Sequence, residues 1–162
     1  MRFYRIFLVA ALLGCAHPLT KVEPEEDERF SDYHKIGIPA FADTRGQGGV
    51  IADSLEKALQ TQMITEPIDR TILEQVLLKY KVGSTNDFDV EALEQVRVRT
   101  SVDAIIFGKM APDWSTARII MIDAKMGVPV FRMFAKPKGG KKVFATPEEV
   151  SDEVMRAIAT LH

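Results

Sequence analysis

Four aspartates, three glycines, four lysines, one tryptophan and one cysteine are the residues of this 162-residue chain whose type and position bear on chemistry. Asp53, Asp69, Asp103 and Asp123 would need a fold that pairs them to act as acid and base. Simpler readings exist for three: Asp69 flanks a helix start, Asp123 sits in a turn, and Asp53 lies in a helix's opening turn. No His stands near a Ser or Asp in a hydrolase setting and the GxSxG elbow is missing, so no catalytic residue is expected. Gly46, Gly48 and Gly49 lie between a strand and a helix, where a phosphate can rest on backbone N–H groups. Their spacing fits neither the P-loop nor the dinucleotide fingerprint, which leaves a flexible loop or contact edge as the plain alternative. Lys136, Lys138, Lys141 and Lys142 surround Gly139-Gly140. They read as a solvated hairpin tip or as a contact for lipid phosphate or an acidic protein surface. Trp114, in APDWSTA, either folds onto the core or anchors an interface.

Cysteine and histidine numbers and spacing speak against a disulfide framework and a cysteine- or histidine-based metal site. His17, His34 and His162 are too far apart for short-range ligand spacing, and one Cys makes neither a disulfide framework nor a cysteine zinc site. No metal and no cofactor are expected beyond a covalent lipid on Cys15. Arg2 and Arg5 precede the apolar run Ile6 to Leu13, too short to span a bilayer, which ends in Leu12-Leu13-Gly14-Cys15. That run resembles the bacterial lipobox, which implies cleavage after residue 14 and acylation of Cys15. Several acyl chains on one Cys give durable anchoring. Ala16 after the Cys, where Asp often marks inner-membrane retention, points to the outer membrane.

Behind the Cys, residues 15–33 are polar and acidic, with Glu23, Glu25, Glu26, Asp27 and Glu28, and read as a tether. Residues 34–162 read as one α/β domain: with 46% apolar and 27% charged residues the chain has the composition of an ordinary globular protein. A net charge of −2 offers no basic field for nucleic acid, so none is expected as a partner.

The elements that must position these residues follow from periodicity. KIGIPAF (35–41) reads as a short buried strand, and Ile51, Leu55 and Leu59 mark an amphipathic helix. Met63 to Ile68 reads as a second strand. Thr71 and Glu74 stand at capping-box spacing before a helix of about ten residues. Val90, Leu93 and Val96 mark another helix, capped by Asp87 or Asp89. VDAIIFGK (102–109) is strand-like, and ARIIMI (117–122) with VPVFRMF (128–134) predicts a hairpin that uses Gly127 in its turn. KPKGGKKVFA predicts a last short strand, and Thr146-Pro147 starts a helix whose face is Val150, Val154, Ile158 and Leu161. The expected order is β-α-β-α-α-β-β-β-α, a single mixed sheet with helices on it.

Several pieces, in order, resemble the family of CsgG, the curli secretion lipoprotein, with the related N-terminal domain of TolB and the synthase activator LpoB. They are Ile36-Gly37-Ile38-Pro39-Ala40-Phe41 with Asp43, Gly49 to Leu55, Asp69-Arg70 with Leu73 to Leu77, Val102 to Gly108, and Ile122-Asp123 with Lys125, Gly127 and Val130. The resemblance implies a CsgG-like or TolB-N-like α/β sandwich in the bacterial envelope, facing the periplasm. There it would be a structural or accessory subunit of a secretion, motility or transport assembly. Its partners would be other envelope proteins, itself in a ring among them. A regulator that activates a peptidoglycan synthase, and a small ligand-binding protein or enzyme, are the alternatives.

Overall fold

The computed structural model describes residues 22–24, 30–62, 65–66, 68–83 and 89–160. Three seven-residue antiparallel strands, β3 (Ala104–Met110), β4 (Ala117–Asp123) and β5 (Pro129–Ala135), form the centre of a five-stranded mixed sheet. Two very short strands close it: β1 (Val22–Pro24) lies antiparallel to β5, and β2 (Ile36–Gly37) parallel to β3, giving the order β1-β5-β4-β3-β2. Central strands buried on both faces read as continuous apolar runs, as in AIIF and IIMI. The hairpin expected between β4 and β5 is present, with Gly127 at φ 68° in its turn. A register shift at Met121/Ile122 sets Met121 opposite Phe131 and Ile122 opposite Pro129.

Four helices cover the sheet. On one face α1 (Gly48–Gln62) and α4 (Pro147–Ile158) bury Ile51, Leu55, Leu59, Val150, Val154 and Ile158 against Ile106, Ile119 and Phe131. On the other, α2 (Arg70–Lys79) and α3 (Val90–Thr100) bury Leu73, Leu77, Leu93 and Val96 against Ile105, Phe107, Ile120 and Ile122. Leu161, expected on the α4 face, lies outside the described residues. The caps are local chemistry. Asp69 accepts from the N–H groups of Thr71 and Ile72, Asp89 from Glu91 and Ala92, and Thr146 from Glu149 with Pro147 at the first position.

Four expectations are corrected. The capping box at Thr71 does not form, because Asp69 is the cap and Glu74 reaches across to the backbone N–H of Ala40 (2.8 Å). The stretch Met63 to Ile68 is not a strand at its described positions Thr65, Glu66 and Ile68. Glu66 makes a backbone bond to His34 O (2.8 Å), and Pro67 has no N–H with which to extend a ladder. KPKGGKKVFA forms no strand either, since Gly139 and Gly140 both take positive φ and turn the chain toward α4. Finally, the tether does not run to residue 33. Val22–Pro24 pairs with β5, Phe30 is 1% exposed with its ring 6.2 Å from that of Phe131, and the Tyr33 hydroxyl donates to Asp123 Oδ2 (3.1 Å). Burial of two aromatic rings outweighs the polar character of the surrounding residues.

The β2 edge is bulged. Gly37 aligns with Ile105, but the next contact is Ala42 with Lys109, so four residues on β2's side, Ile38 to Phe41, face three on β3. α2 satisfies the backbone groups this leaves. Arg70 donates Nε to Ile38 O (2.9 Å) and a terminal nitrogen to Gly49 O (3.3 Å), while pairing with Asp53 and with Glu56 (3.0 Å). Arg70→Ala should therefore lower unfolding free energy by about 1–2 kcal/mol in urea denaturation, because it removes the side-chain donor to Ile38 O and the cation that Asp53 and Glu56 share. Arg70→Lys should recover less than half, since an ammonium cannot fork between them.

Candidate functional site

The loops 43–47, 111–116 and 136–146 meet at one end of the sheet, beyond Met110, Ala117 and Ala135, and Trp114 holds them together. Its ring is 1% exposed, so the interface role considered for it is corrected: Trp114 is a core residue. The indole Nε1 donates to Asp43 Oδ1 (2.7 Å), the Arg45 guanidinium lies 4.6 Å over the ring, and Phe144 N donates to Trp114 O (2.9 Å). Trp114 sits at φ 63°, a conformation unfavourable for a large L residue, and these contacts from three loops hold it there.

The glycine loop is organised from within. Asp43 Oδ2 accepts from Gln47 N (2.7 Å), the residue before α1, so a carboxylate of the chain already lies where an anion would sit. Gly48 is the first residue of α1, not a phosphate cradle: a Cβ there would lie 1.9 Å from Phe41 O. Phe41 in turn packs its ring on Gly108, where a Cβ would be 2.2 Å away. Gly46 takes φ 71° in the exposed turn, and Gly49 is a half-buried residue in the first turn of α1.

The aspartates hold backbone. Asp103 Oδ2 accepts from the N–H groups of His34 (3.0 Å) and Lys35 (2.8 Å), Asp123 Oδ1 from Lys125 (2.7 Å) and Met126 (2.5 Å), and Asp53 pairs with Arg70. Asp103 and Asp123 both line a cleft of about 270 Å³ with Asp32, Tyr33, Arg97 and Lys125. Among the described residues no group of His, Cys, Asp and Glu could hold a metal ion, and no helix is long and apolar enough to cross a membrane. Cys15 lies outside the described residues.

The lysine turn is exposed but not uniform. Lys136, Lys138 and Lys142 face solvent, whereas Lys141 pairs with Glu149, whose second oxygen accepts from Ala145 N (2.9 Å) just before α4. The Lys141 hydrogen bond, then the Ala145 N–H, hold the Glu149 carboxyl below its ordinary value. Lys138, Lys141 and Phe144 line a cleft of about 360 Å³ against Glu149, Asp152, Glu153 and Arg156 of α4. Sequence reading missed the basic sheet face that continues from this turn. α2 and α3 cover only the half of their face near Ala104 and Asp123, and in the other half Lys109 pairs across with Arg118 and Arg118 with Phe134, all three exposed. The signal was present as the single charged position inside ARIIMI, which a purely buried strand would not carry.

No family model matches this chain, and no curated protein does. Solved structures do. The PelC dodecamer from Paraburkholderia phytofirmans matches with a TM-score of 0.52 at 11% identity, over 88% of this chain and 97% of that one. The C-terminal domain of LpoB from Salmonella enterica gives 0.47 at 5% identity over 62% and 79% of the two chains. A lipoprotein of Neisseria meningitidis gives 0.45 at 16% identity over 77% and 96%. The chain thus has the α/β fold of PelC over almost that protein's whole length.

Asp43 supplies a pH prediction. Burial raises its carboxyl, but the Gln47 and Arg45 N–H groups, the Trp114 indole and the Arg45 charge outweigh this and hold it below the ordinary aspartate value. A depressed folded value means that its stabilisation is complete above the unfolded pKa and is lost as pH falls through the folded one. Asp43→Ala, which leaves the indole N–H unpaired, should cost about 1–3 kcal/mol near neutrality. In urea melts across pH, the gap to wild type should narrow below about pH 4, as carboxylates there become protonated.

Proposed function

We propose that this chain is a lipid-anchored protein of the bacterial cell envelope that works by binding other proteins, copies of itself among them, as a subunit of a larger assembly. Acyl chains on Cys15 would hold it on the periplasmic side, at the outer membrane given Ala16. The observation that carries the reading is the PelC likeness: one compact α/β domain, matched over 97% of a chain that forms a dodecamer. The lipobox resemblance at Leu12 to Cys15 supplies the anchor, and the kinship read from sequence with CsgG and the TolB N-terminal domain is part of the same proposal.

The reading assigns no catalytic step. Asp53, Asp69, Asp103 and Asp123 each bond to backbone N–H groups or to Arg70, roles that explain their positions without substrate. The mechanism is positional: the lipid selects the membrane, the short leader sets the height, and the surfaces of the sandwich select partners.

Cross-linking of the full-length tagged protein in its native membranes, followed by mild solubilisation and native mass measurement, tests this. The expected result is a homo-oligomer of many copies or a defined set of envelope components. A monomer with no partner at native abundance contradicts it. So does a metabolite that raises the melting temperature of that monomer, which would instead indicate a ligand-binding protein.

A further inference from the structure

We infer that the lysine-bearing end of the sheet is a membrane-facing surface, on which anionic lipid headgroups dock through their phosphates. The inference rests on the Cys15 anchor proposed above and specifies which face of the domain that anchor presents.

Strand direction is the first argument. β1 runs antiparallel to β5 with Val22 opposite Met133, so the chain enters the domain at the end where β5 finishes, next to Ala135 and Lys136. Six residues, 16–21, separate Cys15 from Val22. Even fully extended they allow about 25 Å between the two. The opposite end of the sheet, at Asp123 and the hairpin turn, lies a further seven-residue strand away, about 20 Å. A lipid on Cys15 therefore keeps the Lys136 end close to the bilayer.

Charge is the second argument. The chain as a whole is net acidic, yet Lys136, Lys138 and Lys142 project at this end, and Lys109 lies exposed on the adjoining sheet face. Of the acids nearby, Glu149 pairs with Lys141, Glu153 with Arg156, and Asp43 accepts from Trp114 and Gln47, while Asp152 lines the cleft beside Lys138. Lys109, Lys136 and Lys142 thus present positive charge toward the side from which the leader enters. Juxtamembrane lysines of this kind are drawn to an anionic surface within a Debye length. Phe134, 51% exposed on β5, gives the same face an apolar contact at headgroup level.

The test uses the mature acylated protein, whose lipid blocks Cys15 and leaves an introduced thiol unique. A fluorophore is placed at Val143→Cys, beside the lysines, or at Met126→Cys, in the hairpin turn at the far end, and energy transfer to a headgroup-labelled lipid is measured. In phosphatidylcholine vesicles containing phosphatidylglycerol, transfer from position 143 should exceed that from 126 severalfold. The difference should shrink in pure phosphatidylcholine, in high salt, and in Lys136→Glu/Lys138→Glu/Lys142→Glu. Equal transfer from the two positions, or a difference untouched by charge reversal, overturns the inference. The anchor is read separately, by incorporation of labelled palmitate into wild type and not into Cys15→Ser. If no label is incorporated, the anchor reading fails, and the unlabelled chain is instead added from solution to the same vesicles. Flotation with the anionic and not the neutral vesicles, at least tenfold weaker in the triple variant, then supports the surface, and its absence overturns it.

Discussion

Backbone pairing at the margins of the sheet is the constraint on which the rest of this structure depends. The three central strands pair over seven residues each, but the edges are closed by strands of three and two residues, too short to hold position by ladder bonds alone. Side chains do the holding. At the β2 edge, Arg70 and Glu74, one turn apart on α2, meet a carbonyl and an N–H of the bulged segment from Ile38 to Phe41, and Phe41 N bonds Gly48 O (3.1 Å) at the start of α1. At the β1 edge, Phe30 and Tyr33 carry the chain from the strand into the core below. Edges treated in this way offer little free backbone to a stray strand.

From that constraint the geometry of the functional end follows. Because Met110, Ala117 and Ala135 are register partners, these strand ends align, and the loops 111–116 and 136–146 that leave them converge with loop 43–47 on Trp114. The same alignment sets Lys109, Arg118 and Phe134 in a row across the uncovered half-face. The polar cleft at the opposite end is built differently, with Asp103 and Asp123 fixing the backbone where β2, β3 and the hairpin turn meet. One end of the sheet is thereby basic, and the other has its carboxylates tied to backbone.

Much of this was legible in the sequence wherever the information was local. A cap at Asp87 or Asp89, Thr146 with Pro147, and the 3.6-residue spacing in α1 and α4 identified helices, because caps and periodicity are properties of neighbours in the chain. The hairpin from Ala117 to Phe134 was legible for the same reason. What escaped depended on distant partners. Val22–Pro24 is a strand because β5 offers it an edge, and no feature of an acidic, proline-containing stretch announces that. Glu74 fits a capping box by spacing, but the N–H of Ala40, 34 residues away, claims its carboxylate. Trp114 offered a core reading, the favoured one, and an interface reading, and Asp43, 71 positions away, bonds its indole in the core.

Residues 22–24 belong to the sheet, paired with β5 so that Val22 lies nearest the end where β5 finishes. Paired cysteines at positions 23 and 132 test this most directly, because these residues are Cα partners across β1 and β5, a separation that a disulfide spans. In the acylated chain, mild oxidation should convert nearly all molecules with cysteines at 23 and 132 to an intrachain disulfide, and few with cysteines at 23 and 118. Equal yields from the two pairs, or no disulfide at 23 and 132, would contradict the account by returning residues 22–24 to the tether.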